Sequence, residues 1–417
     1  MKTMKWYDWM QYGVLLLVAF AVPNSWRCGL WVAMLLGLVT IIKMIAQRKV
    51  GNPVLKRPLR VALFAPIAYW LLLAISLLWS DDLATGLTLL HLKAVMLIFP
   101  VCFLLSDTSY LTTCHLRGVG YALLTGVVAA FLYFLVSAGI GMQQKGVGFV
   151  EFQNSFYSHE RNGVYHHAYI ALYAVVVMAF VYHELSVHWK ELGWWLRGLL
   201  ICVLLLVVCY TVLVNSRAGM LAMGLTAVAC VAHLVVTRRN WKLGLVVGLL
   251  VVAAFIAVIK LMPGYVDRLA STVENVHSDA RTHINRTNWH AYLGSPVLGY
   301  GAGDYHSVQV ANYGAEGFEF GESAGFNAHN QYMESLLSTG IPGLLALLFF
   351  LLSPLCVALR SRRIFLVALL TAIVMFNLLF ESMLERQMGL LFIGLLFPLI
   401  VLIMSVEENK FVQSEKS

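Results

Sequence analysis

Roughly a dozen apolar segments fill this chain, each long enough to span a bilayer at about 20 residues per helix. One polar stretch, Met262 to Gly340, interrupts them late. Inside lipid every backbone polar group must be satisfied within the protein, which leaves helices or closed barrels. A barrel would show short alternating segments. These runs are continuous, so helices follow. Of 417 residues, 60% are hydrophobic and 12% charged, against about 25% charged in soluble domains. The expected class is an all-α integral membrane protein with about 12 transmembrane helices, as the roughly 20-residue span length implies.

Expected spans are 11–24, 28–45, 61–79, 86–105, 117–140, 166–183, 194–214, 218–236, 241–261, 341–359, 364–380 and 389–404. They divide the chain into an N-terminal transmembrane bundle (1–261), a polar loop with amphipathic helices (262–340), and C-terminal helices with a short tail (341–417). The first apolar run follows only two lysines and lacks a small-residue cleavage site, so it reads as a retained helix. Basic residues set the orientation. Lys43, Arg48, Lys49, Lys56, Arg57 and Arg60 fall in one loop; Lys190 and Arg197, then Arg238, Arg239 and Lys242, then Arg360, Arg362 and Arg363 fall in three others. These four loops and both termini are expected in the cytoplasm. The opposite side is the periplasm if the cell is Gram-negative, and the long loop lies there. The net charge of +8 is absorbed by this asymmetry and gives no reason to expect nucleic acid. The seven cysteines are scattered, with none in the long loop, so neither a disulfide framework nor a zinc site is indicated.

The outer side collects the residues that carry chemistry. Asn215-Ser216-Arg217-Ala218-Gly219 joins two apolar runs. Asn and Ser suit a helix terminus, and Gly permits close backbone approach. The plain alternative for Arg217 is snorkelling to headgroups. In the long loop, Met262-Pro263-Gly264 stops a helix, residues 265–295 read as amphipathic helix, and Arg281 lies within it. Gly299, Gly301 and Gly303 alternate and predict a tight, irregular backbone. Without a strand–turn–helix context they do not make a dinucleotide site. His329, in Asn327-Ala328-His329-Asn330, directly precedes a helix that re-enters the membrane, with Asn327 or Asn330 available as its cap. Lys93 and His91 sit inside an apolar span, either facing a cavity or snorkelling to the interface. His166 and His167 begin another span and should point apart on a helix. Arg386 reaches the outer edge beside Glu381 and Glu385, its plain pairing partners.

Taken together, these residues resemble the O-antigen ligase and polymerase family of bacterial membrane glycosyltransferases. The resemblance rests on Asn-Ser-Arg-Ala-Gly around Arg217, on Arg281 ahead of Pro296 and the Gly299–Gly303 run, on Ala328-His329-Asn330 with Glu334 and Gly340-Ile341-Pro342-Gly343, and weakly on 376–390. The family often has tryptophan four residues after its loop arginine. Asn285 stands there and Trp289 lies four further on, which keeps Arg286 as a second choice.

The resemblance implies a GT-C-like fold and a metal-independent glycosyltransferase without a cofactor. Its donor is a glycan on undecaprenyl diphosphate. Its acceptor is lipid A–core for a ligase, another glycan for a polymerase, or a protein hydroxyl for an O-oligosaccharyltransferase. It places the protein in the bacterial inner membrane, in lipopolysaccharide or surface polysaccharide biosynthesis. His329 becomes the general base and Arg217 and Arg281 the diphosphate partners; Lys93, Arg286, Arg386, Asn330 and Tyr305 become substrate contacts. Tyr300, Tyr305, Tyr313, Phe318 and Phe320 would suit sugar stacking. No DxD motif near an outer helix end and no Walker motif occurs, so a nucleotide sugar is not expected. The competing class is a secondary transporter or lipid flippase, which should show internal repeats and midplane breaks; the first half shows no repeat of the long loop. An inert scaffold is a third reading, and it leaves the cationic residues without a purpose.

Overall fold

The computed structural model describes residues 4–146, 166–214, 216–238, 280–359 and 364–414, with isolated positions 242, 249, 253, 256 and 260. Every regular element among them is helical: α1 Trp6–Ala21, α2 Trp26–Gln47, α3 Arg57–Ile75, α4 Leu83–Lys93, α5 Val95–Leu105, α6 Thr113–Lys145, α7 His167–Val187, α8 Trp194–Leu213, α9 Arg217–Arg238, α10 Ala280–Gly294, α11 Tyr305–Ala315, α12 Glu319–Ala324, α13 Gln331–Ala358, α14 Ile364–Leu378 and α15 Gln387–Ser414. Eight helices among the described residues are long and apolar enough to cross a membrane, nine if the bent pair α4–α5 is one span. The protein is therefore an all-α multi-pass membrane protein.

The expected spans map onto these helices with some differences. The segment 86–105 is broken by a 48° bend between α4 and α5. The segment 364–380 is a shorter apolar helix, and 11–24 is the 16-residue α1. The span 241–261 and the amphipathic stretch 265–279 lie outside the continuously described residues.

The chain forms two compact units. One comprises Met1–Gly126, Ile284–Thr371 and Leu378–Ser417; the other comprises Val127–His283 and Ala372–Asn377. In the first, α3 packs along α13, α1 pairs with α2, and α5 lies against α2, α3 and α15. In the second, α7 packs against α8 and α9. Gly219 makes the α7–α9 contact possible, since a Cβ there would collide with that of Ala171.

Lys43, which the sequence places among the orienting loop cations, is instead fully buried. Its Nζ lies 2.8 Å from Asp8 Oδ1 and donates to Gln11 Oε1 at 2.8 Å and to the Asp107 carbonyl at 2.6 Å. Gln11 then donates to Thr40 and Ser106. A buried charge is tolerated only with a partner and filled hydrogen bonds, and this cluster supplies both while tying α1 to α2 and the 105–110 turn.

The helix α13 begins at Gln331, directly after His329 and Asn330 as the motif there implies, and ahead of the apolar span expected at 341–359. Hydropathy misses its first two turns because Gln331, Glu334, Ser335 and Ser338 are polar yet buried. Near its middle, Thr339 and Gly340 leave helical geometry, Gly340 at φ 64° and ψ −153°. The loop before α11 docks on this break. Tyr300 and Gly301 N–H groups donate to the Leu337 and Ser338 carbonyls at 2.8 Å each, and Ile341 N–H donates to the Pro296 carbonyl at 3.2 Å.

Lys43→Ala would leave Asp8 buried without its cation. It should destabilise the protein by on the order of 3–5 kcal/mol, read as a fall in melting temperature in detergent. The double change Asp8→Leu with Lys43→Met should lose less.

Candidate active site

A tight turn presents His329. Its φ of 46° is in the left-handed region, sparsely occupied by residues with a side chain. Such strain, of about 1–3 kcal/mol, persists only when the surroundings over-determine it. Here three successive N–H groups are each claimed by a side-chain oxygen. Ala328 donates to Glu334 Oε1 at 2.6 Å, His329 to Asn327 Oδ1 at 3.1 Å and Asn330 to Ser382 Oγ at 3.2 Å. The Asn330 side chain caps α13, accepting from Tyr332 and Met333 N–H at 3.0 and 3.2 Å. Asn330, not Asn327, is thus the cap of that helix.

The imidazole of His329 is partly exposed, and its Nδ1 lies 3.3 Å from Oε2 of the buried Glu381. With the proton assigned to Nδ1, the carboxylate fixes the ring and Nε2 keeps its lone pair. Glu381 belongs to the turn after α14, where Ser382 donates to Glu334 Oε1 at 3.1 Å. From the sequence alone Glu381 is only a plain pairing partner for Arg386. The signal it offered was an acidic residue at a membrane edge, which does not specify a partner 52 residues away.

Below this turn lies a second charged cluster. Lys93 is 2% exposed, and its Nζ sits 2.6 Å from Glu385 Oε1. The same oxygen accepts from Gln331 Nε2 at 3.0 Å, and Oε2 accepts from the Tyr305 hydroxyl at 3.0 Å. Gln331 Oε1 accepts from Leu384 N–H at 2.7 Å. Burial and then the Glu385 carboxylate hold the Tyr305 hydroxyl well above its ordinary range, so it stays a donor. Lys93 therefore does not snorkel; the polar atoms of Lys93 and Tyr305 are engaged inside the protein. His91 is exposed.

The alternating glycines are accounted for by backbone docking. Gly299 and Gly301 have φ of 67° and 85°. The N–H groups of Gly301, Ala302 and Gly303 donate to the Ser338 carbonyl, Ser76 Oγ and Ser80 Oγ at 2.8, 3.0 and 3.1 Å. Asp304 accepts from the N–H groups of Asp81 and Asp82 at 2.7 and 3.0 Å. The donors a phosphate would need are occupied.

The remaining cations are placed as follows. Arg386 is exposed, and among the described residues no ion pair holds it, although Glu381 and Glu385 are its sequence neighbours. Arg286 is exposed on α10, close enough to Glu316 to favour that carboxylate. Arg281 is exposed in the first turn of the same helix, whose Ile284, Thr287, Asn288 and Ala291 are buried. In the other unit Arg217 is exposed as the first residue of α9, and Ser216 Oγ accepts from Gly219 N–H at 3.1 Å. His166 caps α7 from outside the helix, so its ring stacks on His167 at 4.2 Å instead of pointing away.

Residues 201–348 match the family model described as O-Antigen ligase. That span contains Arg217, Arg281 and His329 and stops short of Glu381. No curated protein matches the chain.

Lys93→Met would leave Glu385 buried without its cation and should cost on the order of 3 kcal/mol or more. Arg386→Ala should leave the melting temperature nearly unchanged, within about 0.5 kcal/mol. Thermal unfolding of the two purified variants checks both.

Proposed function

We propose, from the premise that the chain belongs to the O-antigen ligase family through residues 201–348, that it transfers a glycan from undecaprenyl diphosphate to an acceptor hydroxyl on the periplasmic face of the inner membrane. The family supports glycan transfer in polysaccharide biosynthesis. Lipid A–core is the proposed acceptor, and a growing glycan the second choice. The observation that carries the reading is the His329–Glu381 pair on a strained turn.

The acceptor O–H gives its proton to His329 Nε2 while the oxygen attacks the anomeric carbon. The glycosidic bond to phosphate breaks, and the lipid diphosphate leaves with the bonding electrons. Glu381 holds the ring and balances the imidazolium that forms. Negative charge grows on the leaving diphosphate. Arginine meets it with paired, charge-assisted hydrogen bonds and cannot lose its proton. Arg217 and Arg281 are assigned this role, with Arg286 as the alternative loop arginine and Arg386 as a further contact. Those cations supply the charge that a divalent metal supplies elsewhere, so transfer is expected to survive a chelator.

His329→Ala should lower turnover by about 10²–10⁴-fold with donor binding retained. Glu381→Gln should lie between it and wild type. Arg217→Ala or Arg281→Ala should cost about 1.5–3 kcal/mol of donor or transition-state binding. Near-wild-type transfer by His329→Ala would refute the base assignment.

A further inference from the structure

An aromatic chain runs ring to ring towards His329. Tyr313 is buried, and its ring lies 5.7 Å from that of Phe318. Phe318 lies 6.5 Å from Phe326, which lies 5.3 Å from Phe320 and 6.0 Å from the His329 imidazole. The local fold fixes these positions. The helix α12 ends at Gly325 with φ 58°, which lets Phe326 N–H return to the Gly321 carbonyl at 3.2 Å. Phe326 is half-buried, whereas Phe320 is 66% exposed. Scattered surface phenylalanines need no explanation. A packed pair continuous with the proposed base is a different matter, because rigid aromatics beside a polar group are how sites gain contact area at low entropy cost. Of the aromatics the sequence offered for sugar stacking, Tyr305 and Tyr313 are buried, and Tyr300 bonds the Ala291 carbonyl at 2.6 Å.

Charge narrows what this platform can hold. Residues 316–326 carry Glu316, Glu319 and Glu322 and no lysine or arginine. A hydrogen bond to His290 holds the Glu316 carboxyl below its usual range, so it stays ionised. His290 and Arg286 offset the charge of Glu316, and Glu319 and Glu322 disfavour a diphosphate or an anionic headgroup directly beside Phe320. A pyranose ring without phosphate fits the platform, with its C–H groups on the aromatic face. We infer that Phe320 and Phe326 form the stacking subsite for the acceptor sugar, so that the acceptor presents an uncharged or amino sugar ring. The inference rests on His329 being the base and specifies the substrate it serves.

Two measurements test it on the full chain in nanodiscs. Saturation-transfer NMR would use oligosaccharides of glucose, galactose, rhamnose and N-acetylglucosamine, with a serine-rich peptide as comparison. At least one sugar should receive saturation on its ring-face protons, and Phe320→Ala should remove it. Phe320→Tyr should restore it, and His329→Ala should retain it. In transfer assays Phe320→Ala should raise acceptor KM by about tenfold with kcat little changed, the scale of one aromatic contact. Phe326→Leu should act in the same direction. Saturation of the peptide alone, or of nothing, would overturn the subsite. So would an unchanged acceptor KM in Phe320→Ala, while leaving the transferase reading intact; transfer retained by His329→Ala would remove the base instead. Quenching of Phe320→Trp by brominated lipid, with no response to sugar, would assign the platform to the bilayer and also overturn the subsite.

Discussion

Glu385 is the group on which the placement of the site depends. Its two oxygens take three donors from three separate parts of the chain: Lys93 at the end of α4, Gln331 at the first residue of α13, and Tyr305 at the start of α11. Removing a lysine and a glutamate from water costs several kcal/mol each, and their attraction offsets this only when the remaining hydrogen bonds are filled. Here Gln331, which borders the histidine turn, and Tyr305 fill the remaining acceptor sites of Glu385. The same interaction that makes the pair tolerable also pins the start of α13, and with it the residue just before the cap.

Above that anchor the chemistry is assembled by backbone constraint. The His329 turn holds a left-handed residue because Glu334, Asn327 and Ser382 each take one of its N–H groups. Glu381 then reaches the imidazole from the following helix connection. A histidine on a rigid turn, backed by a buried carboxylate and next to an aromatic surface, is the arrangement from which the proposed function draws its base. The family match gives that geometry a reaction class. Arg217 and Arg281, which the proposed function assigns to the donor, lie in exposed positions at the starts of α9 and α10.

Much of this was legible in the sequence, because bilayer thickness imposes a length that hydropathy detects. The helices α2, α3, α6, α7, α8 and α9 fall where the apolar runs predict. The start of α13 was legible from its cap, Asn330 directly after His329, but not from hydropathy. Its first turns carry Gln331, Glu334, Ser335 and Ser338, which look like loop until their buried partners are known. Lys43 misled for the same reason, since a lysine near a helix end reads as a loop cation unless Asp8 is seen beside it. His329 and Arg217 stand out in the sequence by residue type and by their places at helix ends. Glu381 could not, because its role comes from a contact between distant segments. The alternating glycines carried a correct prediction of irregular backbone, and their purpose, docking against the break at Gly340, appears only in three dimensions.

The most direct test is a transfer assay with purified protein and a synthetic undecaprenyl-diphosphate glycan in the presence of EDTA. Lipid A–core, a second lipid-linked glycan and a peptide would be offered side by side as acceptors. The account predicts a new glycosidic bond on a glycan-bearing acceptor and release of undecaprenyl diphosphate in equal amount. Failure to transfer to any of them by protein that is folded and binds the donor, or activity that appears only on adding a divalent metal, would contradict it.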